Sequence, residues 1–256
     1  MRFTDKIVVV TGGASGLGKA SVTRFLSEGA TVYIFDINPE TGKKAVAELS
    51  GVGDVHFVVC NVTDEDSVKA AFETVVAEQG RVDILHSNAG IIDKPKTVAQ
   101  MSFADWNRVI NINLNGMFLA AKYAVTQMLK QPGGVIVFTG SNWNNVCDPG
   151  FTSYAASKGG VVSFARALAL DHAKDNIRIN VVCPGNMLTP LLERQLSEEE
   201  NPQAALHAMG QVSRPEEIAN LVAFLASDEA SAMKGSAVII DQGETLGYGK
   251  GLWSEK

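Results

Sequence analysis

The chain has little of what would tie it to a polyanion, a membrane or a metal. Its 22 Lys and Arg against 28 Asp and Glu give a formal net charge of −6, and the cations form no run. Nucleic acid and anionic membrane surfaces need clustered positive charge, so neither is expected as a partner. No stretch approaches the ~18 consecutive apolar residues of a membrane-spanning helix. The opening, MRFTDKIVVVTGG, breaks its apolar run at glycine and carries no cleavable signal pattern, so a cytoplasmic location is expected. The three cysteines, Cys60, Cys147 and Cys183, stand far apart and read as buried thiols rather than a disulfide or a ligand pair. The histidines His56, His86, His172 and His207 show none of the short spacings of metal sites, and no metal is expected.

What is present is alternation. Short β-branched runs at residues 6–11, 31–36, 55–60, 82–87, 134–141, 177–183 and 236–241 read as strands, several of them apolar throughout, as strands covered on both faces must be. Between them lie helical patterns at 17–28, 40–49, 64–79, 103–130, 152–173 and 215–226, with Thr63 and Asp66 resembling a capping pair for the third. This order predicts one α/β domain over residues 1–256: a Rossmann-type, doubly wound parallel sheet of about seven strands with helices on both faces. Residues 88–102, 142–151 and 186–213 fit neither pattern. They follow predicted strands, so they fall where the carboxyl ends of a parallel sheet form a ligand crevice, and 186–213 reads as a lid.

After the first strand, VVVTGGASGLGKA sets Gly12, Gly16 and Gly18 at the opening of the first helix. Glycines there let the backbone approach a pyrophosphate, which the free N–H groups and the helix dipole favour. Asp36 ends the second strand, where a carboxylate can accept from ribose hydroxyls and repel a 2′-phosphate. Neither Ile37 nor Gly13, Ala14 and Ser15 supplies a cation, so NAD is the expected cofactor. In TSYAASKGG, Tyr154 and Lys158 stand one helical turn apart on one face. A phenol is a poor base at neutral pH, and an adjacent ammonium favours its ionised form.

The first turn, Thr-Gly-x3-Gly-x-Gly, resembles that of the classical short-chain dehydrogenase/reductase family. The likeness continues through SNAG (87–90), NINLNG (111–116), CPGNMLT (183–189) and SRPEEIANLVAFLASD (213–228), and through Ser141, Tyr154 and Lys158 at Ser-x12-Tyr-x3-Lys. The resemblance implies a catalytic set of Asn113, Ser141, Tyr154 and Lys158. Tyr154 would be the general acid/base and Lys158 its electrostatic partner and a ligand of the nicotinamide ribose. Ser141 would hydrogen-bond the substrate oxygen, and Asn113 would bend its helix and hold a water for proton relay. It implies a cofactor set of Gly12, Ser15, Gly16, Leu17, Gly18, Asp36, Ile37, Asn61, Val62, Asn88, Ala89, Gly90, Pro184, Gly185, Met187 and Thr189, with Tyr154 and Lys158. It also implies a homotetramer assembled through the helices near 103–130 and 152–173. Asn61, Ser87 and the DQG at 241–243 depart from the family's usual Asp, Asn and Asp-Gly-Gly.

After Ser141, Asn142, Trp143, Asn144 and Asn145 set amides around one aromatic plane. That composition suits a polyhydroxylated substrate, with Ser141, Asn142, Trp143 and Tyr154 as the substrate set, although asparagines also favour turns on their own account. The expected activity is hydride transfer between NAD and a secondary alcohol, a sugar or polyol first and a small cyclic or steroid-like alcohol second. An idle dinucleotide sensor would be expected to lack the tyrosine or the lysine, and both are present. Gly159 and Gly160 suggest that other backbone, from within the chain or from a partner subunit, approaches that helix closely, and Trp253 in the tail suggests packing across a subunit interface.

Overall fold

The computed structural model describes residues 1–198, 201–209 and 211–247. Seven strands form one parallel sheet: β1 (Ile7–Thr11), β2 (Thr31–Asp36), β3 (Val55–Val59), β4 (Ile84–Ser87), β5 (Gly134–Thr139), β6 (Ile177–Pro184) and β7 (Ala237–Ile240). Their order is β3-β2-β1-β4-β5-β6-β7. The chain winds outward in both directions from the β1/β4 pair, and a crevice opens where the winding reverses.

Each face of the sheet carries its own apolar layer. On one, α3 (Glu65–Gln79), α5 (Gly116–Met128) and α6 (Thr152–Asp171) pack with Val9, Phe35, Leu85, Phe138 and Ile179. On the other, α1 (Gly16–Ser27), α2 (Pro39–Leu49) and α9 (Pro215–Ala226) pack with Val8, Val10, Ile34, Val137 and Val182. Alternate residues of one strand thus feed opposite layers, as strand geometry requires. Arg178, buried on β6, donates to the carbonyls of Leu225, Ala226, Ser227 and Ala230, satisfying the end of α9.

Several local expectations change. The helix expected over 103–130 is three segments: α4 (Phe103–Ile110), a π-helical turn at Asn111–Asn115, and α5. The strand expected to run to Ser141 stops at Thr139, and Ser141 instead caps a 3-10 turn at Asn142–Asn144 by accepting from Trp143 N. The start of α3 is capped by Asp64, which accepts from Asp66 N, while Thr63 turns back to the carboxamide of Asn61. Cys60 and Cys183 are buried as expected, but Cys147, on the loop after β5, is exposed. The excursion after β6 holds two short helices, α7 (Pro190–Ser197) and α8 (Pro202–Ala208). Its ends are pinned together by Ser213 N to Asn186 O and Leu188 N to Ser213 O, both 2.9 Å.

The glycine pair of α6 is only half as expected. A Cβ at Gly160 would come within 2.9 Å of the Leu114 side chain, so the crowding there comes from the π-helical turn of the same chain and from a side chain rather than backbone. A Cβ at Gly159 would meet nothing within 4 Å among the described residues. Trp253 lies outside the described residues.

Candidate active site

A cleft of 460 Å³ runs along the carboxyl ends of β1, β2, β3 and β4 and reaches β5 and α6. Its floor at one end is the turn after β1. Gly12 has φ +63°, a left-handed conformation that costs a residue with Cβ about 1 kcal/mol or more. A Cβ at Gly18 would fall on the Gly12 carbonyl oxygen, so the turn closes only with glycine there. The helix that follows opens without compensation. α2, α3 and α4 start on Asn38, Asp64 and Ser102, whose side chains accept the first amides, and each has a carboxylate in its first turn. Ser15, at the start of α1, makes no such bond, and that first turn holds no acid. Free N–H groups facing a cleft fit an anion such as a pyrophosphate.

Asp36 stands at the end of β2, its carboxylate accepting from Ala14 N at 3.3 Å and Asn38 N at 3.2 Å. Asn61, at the end of β3, gives its side-chain oxygen to Thr63 N and to the Thr63 hydroxyl, at 3.1 and 2.8 Å. Its amino group therefore faces elsewhere, so the change from the family's Asp replaces an acceptor with a donor. Of the expected cofactor set, Gly12, Ser15, Gly16, Leu17, Asp36, Ile37, Asn61, Val62, Asn88, Ala89, Gly90, Tyr154, Lys158, Met187 and Thr189 line this cleft. Gly18 sits behind it, and Pro184 and Gly185 lie off it, where a Cβ at Gly185 would meet Asp241 and Glu244. Phe35, Cys60, Ile91, Ile112, Thr139 and Leu191 line it unforeseen. Phe35, Cys60 and Thr139 are buried at or beside strand ends, whereas Ile91, Ile112 and Leu191 come from a loop and two helical turns and are half-buried. These residues fit a dinucleotide: a backbone cradle for phosphates, a carboxylate for a ribose, and apolar walls for a base.

At the other end Tyr154 and Lys158 meet. Lys158 is 3% exposed, its Nζ 5.6 Å from the Tyr154 ring centre and 2.8 Å from the Thr139 carbonyl, to which it donates. Burial pushes the ammonium down to about 8. Burial also pushes the Tyr154 phenol up to about 12, and a bond with Ser141 offsets this only in part. The expected lowering of the phenol by its lysine does not show in the chain alone, where desolvation dominates and Ser141 supplies the opposing bond.

Asn113 is fully buried on the π-helical turn. Its oxygen accepts from Ile91 N at 2.8 Å, while its amino group donates to Ile91 O at 2.8 Å and to Ser157 Oγ at 3.2 Å. The wider turn brings Asn113 inward, and its carboxamide fixes the loop after β4 against α6. Gly90 lies between them, and a Cβ there would sit 3.3 Å from Asn113 Oδ1 and 3.6 Å from Lys158 Nζ.

Among the expected substrate residues, Ser141 and Trp143 stand beside Tyr154. The Trp143 ring is 5.4 Å from that of Tyr154 at 90°, and 5.0 Å from that of Phe151. Asn142 does not join them. It is 1% exposed and its amino group turns toward Asp241, at 3.5 Å. Asp241 is itself held by Gly243 N and Thr245 N across Gln242, whose φ of +55° explains why glycine is usual there. In the loop after β4, Lys94 pairs with Glu198 at 3.0 Å, tying that loop to the end of α7, and Lys96 pairs with Asp105. Among the described residues no helix is long and apolar enough to cross a membrane, and no group of three or more His, Cys, Asp or Glu is placed to hold a metal.

A family model described as enoyl-(acyl carrier protein) reductase matches residues 12–245. The chain is 41% identical over 244 residues to the 3-oxoacyl-(acyl-carrier-protein) reductase FabG of Thermotoga maritima, spanning 95% of this chain and 99% of that one. It is 40% identical over 247 residues to the cyclopentanol dehydrogenase of Comamonas testosteroni, spanning 95% and 98%. The solved structure of a levodione reductase superposes with a TM-score of 0.90 at 35% identity, covering 96% of this chain and all of that one. With the glycine turn, the seven-stranded parallel sheet and the serine, tyrosine and lysine gathered at one crevice, these matches place the chain in the short-chain dehydrogenase/reductase family of oxidoreductases.

Proposed function

We propose that the protein is an NAD-dependent dehydrogenase of a secondary alcohol, and that its substrate is a small cyclic alcohol or the matching ketone. The observation that carries the substrate reading is the wall beside Tyr154. Trp143 stands edge-on to the catalytic ring with Phe151 behind it, and Ile91, Met187 and Leu191 line the adjoining cleft. With Asn142 committed to Asp241, the side chains facing a substrate are mainly apolar. Cyclopentanol dehydrogenase and levodione reductase, both named for ring substrates, are among the similar proteins. The sugar or polyol favoured by composition keeps one support: Asn144 Oδ1 is buried in the loop and has no partner among the described residues.

Oxidised nicotinamide, when bound, supplies the hydride acceptor and a positive charge. The chain's own residues handle the proton. Ser141 offers its hydroxyl to the substrate oxygen, and Tyr154 takes the hydroxyl proton from the alcohol. At neutral pH a phenol pushed up to about 12 must be brought down by cationic charge in the cleft. Lys158, with its proton-binding midpoint at about 8, is mostly cationic there, and the cofactor adds to it. Asp36, held by two backbone amides at the ribose end, supports NAD over NADP by repelling a 2′-phosphate. Phe118 on α5 and Leu170 on α6 are exposed, which supports a homotetramer assembled through those helices. A cytoplasmic location goes with this reading.

The test is a panel of cyclopentanol, cyclohexanol, 2,3-butanediol, sorbitol and glucose, each with NAD and NADP, followed by absorbance of the reduced nicotinamide. The cyclic alcohols with NAD should give the highest kcat/KM. Faster turnover of sorbitol or glucose would restore the polyol reading, and a preference for NADP would refute the role of Asp36.

A further inference from the structure

His86, in the middle of the sheet on β4, takes no part in the chemistry above. It is fully buried and lies in register with Val10 and Val137, a polar ring between two valines. Its Nε2 is 3.0 Å from Thr139 Oγ1, which is 3.2 Å from Asn88 Oδ1. The Asn88 amino group reaches the carbonyls of Thr11 at 3.2 Å and Gly12 at 3.4 Å.

The far end of this series of bonds fixes its direction. Carbonyl oxygens only accept, so the Asn88 atom facing Thr11 and Gly12 is the amino nitrogen, and the one facing Thr139 is the oxygen. That oxygen also accepts, so the Thr139 hydroxyl gives its single proton to Asn88. Toward His86 the hydroxyl is left as an acceptor, and Nε2 must carry the hydrogen. Nδ1 is then bare, and among the described residues it has no hydrogen-bond partner. A lone pair tolerates that position better than a buried N–H would. Burial pushes the imidazole down to about 3, so the ring remains neutral.

Resting on the dinucleotide reading above, we propose that His86 is a positioning residue for the cofactor. As a fixed Nε2–H donor it commits the Thr139 hydroxyl to Asn88, and so holds the turn after β4 against the glycine turn after β1. Thr139, Asn88 and Gly12 all line the cleft, and the Thr139 carbonyl also receives Lys158. An apolar residue at 86 would strip that donor from Thr139 and release both the hydroxyl and the carboxamide it orients.

The test combines a spectroscopic signature with a binding measurement on the full chain. Long-range proton–nitrogen spectra should show His86 as the Nε2–H tautomer throughout the neutral range. In His86→Leu, the Kd for NAD, read from tryptophan fluorescence, should rise about tenfold. His86→Gln, whose amide can still donate, should recover most of the loss. In a Thr139→Val background, His86→Leu should add little, and kcat at saturating NAD should change less than the KM for NAD. An Nδ1–H tautomer would overturn the proposal. So would a folded His86→Leu protein whose NAD affinity stays within about twofold of the wild type. Should His86→Leu not fold, the tautomer and the glutamine variant decide. Wild-type protein that bound no nicotinamide dinucleotide would refute the functional reading itself, and this inference with it.

Discussion

At the dinucleotide end of the cleft the wall is largely backbone, closed by Gly12 and Gly18 and backed by the hydrogen bonds of Thr11, Asn88 and Ala89. At the substrate end it is side chains: Trp143 and Phe151 on one loop, Met187 and Leu191 at the start of the excursion after β6, with the exposed Lys94–Glu198 pair across the top. A backbone wall admits one shape and fails as a whole when a Cβ is added. A side-chain wall can be recut residue by residue, and an exposed ion pair adds at most about 1 kcal/mol to holding it. One end is therefore suited to a single cofactor, and the other to whatever substrate its side chains shape.

The sharpest break belongs at the joint between the ends. Tyr154→Phe keeps the ring that packs on Trp143 and removes the proton acceptor, so kcat should fall by about 10³ while NAD still binds. Steady-state kinetics beside NAD titration checks this, and a loss under about tenfold would remove Tyr154 from the chemistry. In the wild type, kcat/KM for alcohol oxidation should rise with pH as the phenol loses its proton.

Gly18→Val should abolish measurable NAD binding, because its Cβ falls on the Gly12 carbonyl. Gly159→Ala, whose Cβ meets nothing among the described residues, should raise the melting temperature by an amount equivalent to at most about 1 kcal/mol. A destabilised or dissociated Gly159→Ala protein would show that a neighbouring subunit fills that space.

Lys158 carries a pH dependence of stability. Its folded value is about 8, against 10.5 for a free lysine. Between those values the unfolded chain holds a proton that the folded chain has lost. The group's penalty, about 3 kcal/mol in full, is thus present below pH 8 and relieved as pH rises toward 10.5. Denaturant titrations of wild type and Lys158→Met at pH 7 and pH 10 should show the difference in stability shrinking, and a constant difference would contradict it.

Asp36→Ala should raise the KM for NAD about tenfold and narrow the preference over NADP, with little change in kcat. Smallest is the recut of the side-chain wall. Trp143→Ala should raise the KM for a cyclic alcohol about fivefold and leave NAD affinity untouched. An equal loss in both would mean that the two ends are not separable.

Legibility in the sequence follows the same division. The inner strands are legible because parallel strands buried on both faces are apolar throughout, as Val8, Val9 and Val10 are, and the half-buried edge strands β3 and β7 show as β-branched runs. Most of the cofactor cleft was legible too, since backbone approach demands glycine and glycine is read directly. The π-helical turn at Asn111–Asn115 is legible only as the bend the resemblance implies at Asn113, because its apolar spacing blends into the helices on either side. Asn142 was misplaced for another reason. An amide beside a serine expected to be catalytic looks available to substrate, and only the fold shows Asp241 waiting 99 positions further on.

By itself the sequence determined the parallel α/β sheet, the glycine cradle, the carboxylate at the end of β2, and a tyrosine and lysine one turn apart. Each of these is local or periodic, set by backbone geometry over a few residues. The tertiary structure alone decided which polar groups are spent on the protein and which remain for a ligand. It turned Asn142 away, and it fixed the proton of His86 through Thr139, 53 residues distant. Hydrogen-bond partners separated by that length of chain leave no spacing to read, and burial makes each pairing obligatory once the fold has formed.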